Sequence, residues 1–259
     1  MPETPPEIAE PMPRGRRPVI VIPARFAEHT SALRYAAVVT ARALSAAVYR
    51  AGGEPLTMHP WAPGGQVEDD VVRQRLQVAD AVLLPGGGDL SPRHYHGAPH
   101  ASLYDIDEEQ DAFDLAVARV CLADAIPLLA VCRGLQVVTV ARGGSLLSDM
   151  GAGLHRGLVQ NFTVQPGSQV ASALGATTVR GSCFHHQCVK EPGAGMLAVA
   201  HAPDGTPEAY ELADYDGWFL GVQWHPEDEA ETDPAQARLF SALVGSGRTR
   251  SVRAARRSP

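Results

Sequence analysis

The chain has 259 residues, of which 45% are hydrophobic and 20% are charged, and this balance can bury a sizeable core in one α/β domain. Its net charge of −7 excludes a general attraction to nucleic acid or anionic membranes, and no apolar run approaches the roughly 18 residues that span a bilayer. Because no apolar stretch near the start resembles a signal peptide, we expect a cytoplasmic protein whose four cysteines are free thiols. The oligomeric state, including a homo-oligomer, is left open.

Both ends of the chain are expected to lie outside the folded domain. Residues 1–17 are rich in proline and show no apolar periodicity, which predicts a disordered tail. Residues 246–259 contain five arginines and are expected to form a basic disordered tail rather than a nucleic-acid site, since no structured basic face accompanies them. The domain is therefore expected to extend over residues 18–245.

The first half of the domain alternates short apolar runs with helical spacing of apolar residues. The runs predict buried strands at 18–23, 54–58, 81–84 and 128–131. The spacing predicts helices from Leu33 to Val48, around 71–78, from Asp107 to Asp124 and from Leu135 to Ala141. Alternating strands and helices indicate an α/β fold with an open, mostly parallel central sheet flanked by helices.

The second half of the domain is richer in strands. Short apolar segments predict them at 158–164, 177–179, 197–200, 208–212 and 218–223. A last helix is expected at 235–244, where the apolar spacing is again helical.

The loop Pro85-Gly-Gly-Gly-Asp89 follows a predicted buried strand directly. Three glycines let a backbone approach a ligand closely and aim N–H groups at it. A phosphate cradle is disfavoured because neither the GK[ST] nor the GxGxxG spacing is present, and a plain tight turn is the alternative without a ligand. We expect the backbone N–H groups of Gly87 and Arg133 to form an oxyanion hole.

Cys132 stands between a predicted strand and a predicted helix. A sharp turn at this point holds the side chain out of the sheet and requires small neighbours, which Ala130 and Gly134 supply. The amino end of the following helix favours thiolate over thiol. The pattern predicts a nucleophile, and the alternative is a buried cysteine that only packs.

A catalytic cysteine needs a base, and the base needs a group that orients it. His225 lies just beyond the last predicted strand, and Pro226 favours an extended conformation for it. With residues i and i+2 on the same side of an extended segment, Glu227 can accept a hydrogen bond from the imidazole of His225.

The segment Cys183-Phe-His-His-Gln-Cys188 is a second candidate site, since two thiols and two imidazoles are zinc ligands. Zinc is disfavoured because structural sites usually separate two ligand pairs by a longer loop, and adjacent His185 and His186 point apart on a strand. We expect a strand end that lines the mouth of the active site, with the two cysteines as packing residues.

Several motifs together resemble one known family, the gamma-glutamyl-gamma-aminobutyrate hydrolase group of the class I glutamine amidotransferase-like, flavodoxin-like fold. They are Leu-Pro-Gly-Gly-Gly-Asp-Leu-Ser-Pro-Arg-His-Tyr (84–95), Val-Cys-Arg-Gly-Leu-Gln (131–136), Gly-Gly-Ser-Leu-Leu-Ser-Asp (143–149), Phe-His-His-Gln (184–187) and Gly-Val-Gln-Trp-His-Pro-Glu (221–227). The resemblance extends over about residues 18–245, with the motifs in the family's order.

The resemblance implies a catalytic triad of Cys132, His225 and Glu227, with the oxyanion hole at Gly87 and Arg133. It implies hydrolysis of a gamma-glutamyl amide to glutamate and an amine, as in putrescine breakdown, without a metal or cofactor. The residues expected to bind this small-molecule gamma-glutamyl substrate are Gly86, Gln136, His185, His186 and Gln187.

Departures from the family pattern leave the amine portion of the substrate open. Ala130 replaces a usual glycine, Gln110 a common arginine, Asp114 a usual glutamate, Thr139 a frequent asparagine and Cys183 a common serine. Two alternative functions are a glutaminase subunit that delivers ammonia to a partner synthase and a non-catalytic binding module of the same fold.

Overall fold

The structure is a computed structural model that describes residues 16–151, 153 and 155–257. Its strands, numbered in chain order, are β1 (Val19–Pro23), β2 (Arg25–Ala27), β3 (Ala37–Val39), β4 (Glu54–Met58), β5 (Ala81–Leu84), β6 (Leu128–Val131), β7 (Ser145–Leu147), β8 (Arg156–Val164), β9 (Thr178–Phe184), β10 (Cys188–Glu191), β11 (Met196–His201), β12 (Pro207–Leu212) and β13 (Phe219–Val222). Its helices are α1 (Arg42–Arg50), α2 (Asp69–Arg75), α3 (Glu108–Ala123), α4 (Arg133–Ala141), α5 (Gln169–Leu174), α6 (Pro226–Glu229) and α7 (Pro234–Arg257).

The central sheet of the described residues contains nine strands in the order β4-β1-β5-β6-β13-β12-β11-β8-β9. The first five strands in this order, from β4 to β13, pair in parallel with their neighbours. From the pairing of β13 with β12 onward, every pairing is antiparallel. The predicted α/β class, with an open central sheet and a strand-rich second half, is confirmed. The antiparallel strands β12, β11, β8 and β9, all from the second half of the chain, extend the parallel sheet on one side.

Helices cover both faces of the sheet because successive strand residues point to opposite sides. Val21 of β1 packs into one core with Phe113 of α3, while Ile20 and Ile22 pack into the other core with Phe240 of α7. This alternation explains why the inner parallel strands β1, β5, β6 and β13 are apolar, since both of their faces are buried, whereas the edge strand β4 is largely exposed. Across the described residues, no helix combines the length and the apolarity that crossing a membrane requires.

The helix predicted from Leu33 to Val48 is much shorter in the structure. It begins at Arg42, and Ala37–Val39 instead pairs antiparallel with Arg25–Ala27. The apolar spacing misled the prediction because Leu33 is 61% exposed and faces no core. The two β-branched valines at 38 and 39 suit the small β-hairpin better than a helix.

The last helix is longer than predicted. It continues to Arg257, so the prediction of a disordered tail from residue 246 is wrong as far as residue 257. Alanine and arginine are good helix formers, and Arg250 donates to the carbonyl of Asp124 on the neighbouring part of the domain. The prediction of a disordered tail for residues 1–15 lies outside the described residues, as do residues 258 and 259.

Candidate active site

The candidate site lies at the carboxyl edge of three adjacent parallel strands. β5 leads into the glycine loop, β6 ends before Cys132, and β13 ends shortly before His225. The backbone N–H of Cys132 donates to the carbonyl of Val222 at 2.8 Å, which ties the ends of β6 and β13 together. Ligands of open α/β sheets bind at this edge.

Cys132 has the backbone conformation that the predicted sharp turn requires. Its φ of 51° and ψ of −108° are unusual for a residue with a side chain and cost on the order of 1–3 kcal/mol. Gly134 is needed because a Cβ there would lie 2.3 Å from the carbonyl oxygen of Leu84. Cys132 is also the residue before α4, so its side chain lies near the positive end of the helix dipole.

His225 is fixed from two sides. Its backbone N–H donates to the carbonyl of Ser182 on β9 at 2.8 Å, and its Nδ1 lies 2.8 Å from Oε1 of Glu227. The preceding residue, Trp224, is fully buried and stacks on Phe162, with ring centroids 4.8 Å apart. The imidazole therefore has a defined position, and Nε2 is left to face the thiol.

The pairing of His225 with Glu227 arises differently from the prediction. His225 has φ −103° and ψ 87°, and Glu227 lies in the one-turn helix α6 rather than in an extended segment. Pro226 occupies the first helical position, where a proline is favoured. The turn of this short helix brings the carboxylate back toward the imidazole.

The charges of the site favour an ion pair between Cys132 and His225. Burial opposes ionisation of the Cys132 thiol, but the charge and hydrogen bond of His225 outweigh it and lower the pKa of that thiol. Burial likewise opposes a charged imidazole, yet Cys132 and Glu227 together raise the pKa of His225 to about 12. A thiolate beside an imidazolium is the form in which cysteine acts as a nucleophile.

The glycine loop packs directly against the triad. A Cβ at Gly86 would lie 2.9 Å from Cε1 of His225, and a Cβ at Gly87 would lie 2.6 Å from Nε of Arg25. The backbone N–H groups of Gly87 and Arg133 donate to no protein acceptor in the part of the chain that the structure describes. They are thus free to bind an oxyanion.

Sequence reasoning missed a buried charge network behind this loop. Arg25 donates to the carbonyls of Pro85 and Gly86, each at 2.7 Å, and its guanidinium lies 2.9 Å from Asp114. Arg133 is hydrogen-bonded to the same carboxylate. Arg25 and Arg133 therefore share the buried carboxylate of Asp114. This carboxylate connects the glycine loop, which Arg25 contacts, with Arg133, the other predicted part of the oxyanion hole.

Asp111 completes that network on α3. Its Oδ1 accepts from Arg133 at 2.6 Å, and its Oδ2 accepts from the backbone N–H of Ser91 at 2.9 Å. Both Asp111 and Asp114 are fully buried. The sequence did contain a signal for this network, a pair of carboxylates one helical turn apart on an apolar helix. The pair was overlooked because the first turn of α3 is acidic as well.

Two predicted substrate-binding residues, Gln136 and Gln187, are buried behind the site and contact other protein groups. Nε2 of Gln136 donates to the carbonyl of Gln187 at 3.1 Å, and Nε2 of Gln187 lies 3.4 Å from the hydroxyl of Tyr95. These contacts position the segment at 185–187 against α4.

The adjacent histidines point apart, as expected for an extended segment. His185 is buried beside Glu208, with Nε2 3.3 Å from Oε1, whereas His186 lies 3.0 Å from both carboxylate oxygens of Asp89. His186 also stacks on Tyr104, with ring centroids 5.5 Å apart. The segment thus joins two separate polar clusters, and only His186 contacts the glycine loop.

A cleft of about 440 Å³ opens beside Gly87 and Arg133. Carboxylates at its rim come from Glu28, Asp105 and Asp107. The two arginines in its wall, Arg25 and Arg133, are already paired with buried aspartates. Among the described residues that line the cleft, carboxylates without an ion-pair partner therefore outnumber cations without one.

Comparisons with known proteins agree with the fold. A solved structure described as that of a GMP synthase component from Thermoplasma acidophilum superposes with a TM-score of 0.63 at 13% identity, over 95% of this chain and 100% of the other. The fold is therefore that of class I glutamine amidotransferases. The sequence profile named peptidase C26 matches residues 18–227, and the chain belongs to this hydrolase family.

Two curated relatives represent the family's range. The glutamine amidotransferase-like protein YvdE of Lactococcus lactis is 36% identical over 182 residues, which cover 67% of this chain and 76% of that protein. The gamma-glutamyl-gamma-aminobutyrate hydrolase PuuD of Escherichia coli K12 is 30% identical over 214 residues, covering 76% and 82%. The resemblance found in the sequence is thus confirmed at the level of the family.

Proposed function

We propose that the protein hydrolyses a gamma-glutamyl amide to glutamate and an amine through a thioester on Cys132. The observation that carries the proposal is the buried Cys132–His225–Glu227 array beside two free backbone N–H groups. Cytoplasmic location fits this chemistry, because a reducing compartment keeps the four free thiols reduced.

In the first half-reaction, the thiolate of Cys132 bonds to the gamma-carbonyl carbon, and the carbonyl electron pair moves onto oxygen. The N–H groups of Gly87 and Arg133 stabilise this oxyanion. As the carbonyl re-forms, the C–N bond breaks, and the imidazolium of His225 gives its proton to the leaving amine. The products of this step are a free amine and a glutamyl thioester.

In the second half-reaction, neutral His225 takes a proton from water, and the hydroxide bonds to the thioester carbon. Collapse of the second oxyanion breaks the C–S bond, releases glutamate and restores the thiolate with its imidazolium. Glu227 orients the imidazole and stabilises its charge without taking its proton.

The amine portion of the substrate is the least defined part of the proposal. A gamma-glutamyl substrate follows from the likeness to the Escherichia coli hydrolase, and the acidic rim of the cleft favours an amine that carries positive charge over one that carries a carboxylate.

The test is a panel of gamma-glutamyl amides assayed for released glutamate. The panel contains an anionic amine (gamma-aminobutyrate), a neutral alkylamine, a cationic diamine and ammonia, the last supplied as glutamine. We expect turnover of at least one member above ammonia, and its loss in Cys132→Ala. If the purified chain hydrolyses no member, the proposed reaction is wrong.

A glutaminase subunit is the second candidate, because relatives such as YvdE are named after glutamine amidotransferases. This function predicts that glutamine is the preferred substrate and that activity rises when a co-purifying synthase is present. A non-catalytic module predicts instead that an electrophilic glutamine analogue leaves Cys132 unmodified.

A further inference from the structure

A second cluster of cysteine, histidine and glutamate lies in the antiparallel part of the sheet. We name it the β8–β12 cluster; its members are His155, Cys183, His185 and Glu208. His155 precedes β8, Cys183 belongs to β9, His185 follows β9, and Glu208 belongs to β12. All four side chains are buried, and one ligand atom from each lies within 4.8 Å of the other three.

The potential ligand atoms converge on one point. Oε1 of Glu208 lies 2.8 Å from Nδ1 of His155 and 3.3 Å from Nε2 of His185. An ideal tetrahedral zinc site places neighbouring ligand atoms about 3.3–3.8 Å apart, given bond lengths of about 2.0–2.3 Å. Small side-chain shifts would therefore bring all four atoms to bonding distance of a single ion.

The outer nitrogen of each histidine already has an acceptor. Nε2 of His155 lies 3.1 Å from Oδ2 of Asp204, and Nδ1 of His185 lies 3.0 Å from the carbonyl of Gln187. Partners of this kind fix the tautomer of a metal-binding histidine and leave the inner nitrogen unprotonated. Both imidazoles are thus oriented as ligands.

The inner atoms of the cluster differ in their hydrogen bonding. Nε2 of Gln160 lies 3.0 Å from Nδ1 of His155 and donates to Sγ of Cys183 at 3.2 Å. Among the described residues, the other inner atoms, which are both carboxylate oxygens of Glu208 and Nε2 of His185, have no hydrogen-bond partner, although Glu208 is 0% exposed. The short contacts of Glu208 lie outside hydrogen-bond geometry. A buried carboxylate in this state is costly unless a cation compensates it.

We propose that the β8–β12 cluster binds one zinc ion as a closed, four-coordinate structural site. One sulfur, two nitrogens and one oxygen form a donor set that suits zinc. A thiolate and a carboxylate would balance the charge of Zn²⁺ inside the domain. His186 and Cys188, the other members of the candidate segment in the sequence, lie outside the site.

The electrostatics of the cluster support a bound cation. Glu208 brings a carboxylate and Cys183 brings a thiol to the same buried place as the two imidazoles. Zinc binding would deprotonate the thiol, and the ion would compensate the negative charges of the thiolate and the carboxylate.

Such an ion would stabilise the support of the active site without entering the reaction. Ser182, the neighbour of Cys183 on β9, accepts the backbone N–H of His225. Zinc would therefore anchor the strand that holds the catalytic base. This role is independent of the proposed substrate, since it concerns folding and metal content only.

The first experiment measures zinc in the untagged full-length chain, loaded with zinc and then dialysed. We expect about one ion per chain, and less than about a tenth of that in Cys183→Ser. The matched control is Cys188→Ala, which removes a buried thiol outside the cluster and is expected to keep the ion. Equal zinc in the unmodified chain and Cys183→Ser overturns the proposal.

The second experiment replaces zinc by cobalt(II) in Cys132→Ala, so that the active-site thiol cannot contribute. A thiolate-to-cobalt charge-transfer band and the visible bands of tetrahedral cobalt are expected. Their absence in this folded variant overturns the proposal, whether or not Cys183→Ser folds. Glu208→Gln should keep the thiolate band and weaken binding at least about tenfold.

A third measurement tests the structural role. Free zinc about 100-fold above its Kd should raise the Tm of the metal-free chain by roughly 5–10 °C. The same addition should leave the Tm of Cys183→Ser unchanged. A metal-free chain whose Tm does not respond to zinc overturns the proposal of a structural ion.

Discussion

The active site and the β8–β12 cluster use the same three residue types, and they differ in how the side chains face one another. In the active site, Cys132 contacts His225, and His225 contacts Glu227, so the groups form a line. In the cluster, the four ligand atoms all lie within 4.8 Å of one another. Groups that contact one another in succession can pass a proton from one to the next, whereas ligand atoms that lie close to one another can bind a single ion.

The backbone explains the difference. Cys132 stands on a strained turn beside a glycine loop, and its side chain lies at the amino end of the helix that follows. Cys183 lies within β9, and its cluster neighbours come from the segment after β9, the residue before β8, and β12. The residue types alone therefore do not distinguish a nucleophile from a metal ligand.

The largest expected effect is the loss of turnover when Cys132 is replaced. Cys132→Ala should reduce turnover by about 10⁴-fold or more, because it removes the nucleophile, while alanine fits the crowded turn and preserves folding. The measurement is glutamate release from the best amide of the panel. Cys121→Ala, which removes a buried thiol on α3, is the control and should stay within a few fold. Undiminished activity of folded Cys132→Ala would refute the mechanism.

The next effect tests whether the triad acts as a line. Glu227→Gln should lower turnover by roughly 10- to 10³-fold, less than the 10⁴-fold known for a serine triad, because the thiol is partly ionised without its base. His225→Ala should cost more, since it removes the acid that protonates the amine. Rates of both purified variants are compared on one gamma-glutamyl amide. A larger loss in Glu227→Gln would show that the roles are assigned wrongly.

A smaller effect on rate is expected from the charge network behind the glycine loop. Asp114→Asn leaves Arg25 and Arg133 without their shared carboxylate, which should lower the free energy of unfolding by about 3–5 kcal/mol. Turnover of the remaining folded enzyme should fall about tenfold. Urea unfolding and steady-state rates measure the two effects.

The control for that variant is Asp70→Asn on α2. Asp70 is paired with Arg73, but its side chain is 91% exposed, so its loss should change the unfolding free energy by no more than about 1 kcal/mol. If Asp114→Asn proves as mild as this control, the network does not support the loop.

Much of the parallel half of the fold could be predicted from the sequence because its inner strands are buried on both faces. Their apolar runs are bounded by glycine and proline, and the turn at Cys132 is visible in its small neighbours. His225 and Glu227 could be paired because they are close in the chain. Their contact depends on a helical turn after Pro226, which local sequence predicted only as an extended segment.

The charge network and the metal-type cluster could not be predicted in this way. Arg25 on β2 meets Asp114 on α3, and His155 before β8 meets Glu208 on β12, although each pair is distant in sequence. These contacts are set by tertiary packing and not by local periodicity. For the segment at 183–188, only ligands within that segment were considered from the sequence. His155 and Glu208, which are distant in the sequence, were therefore missed.

The smallest expected effect concerns pH and compares the two cysteines once more. Because the pKa of Cys132 is lowered by His225, its thiolate should persist as the pH falls below the ordinary thiol value. Alkylation of Cys132 by iodoacetamide should therefore slow clearly less between pH 8.5 and 7 than the roughly 15-fold expected for an ordinary thiol. Peptide mass spectrometry follows each cysteine separately, and buried Cys183 should react far more slowly at both pH values. In His225→Ala the group that lowers the pKa of Cys132 is absent. Its alkylation rate should then depend on pH as steeply as that of an ordinary thiol. A 15-fold fall in the unmodified chain would mean that no thiolate–imidazolium pair exists at Cys132, and the contrast between the two clusters would then be one of access alone.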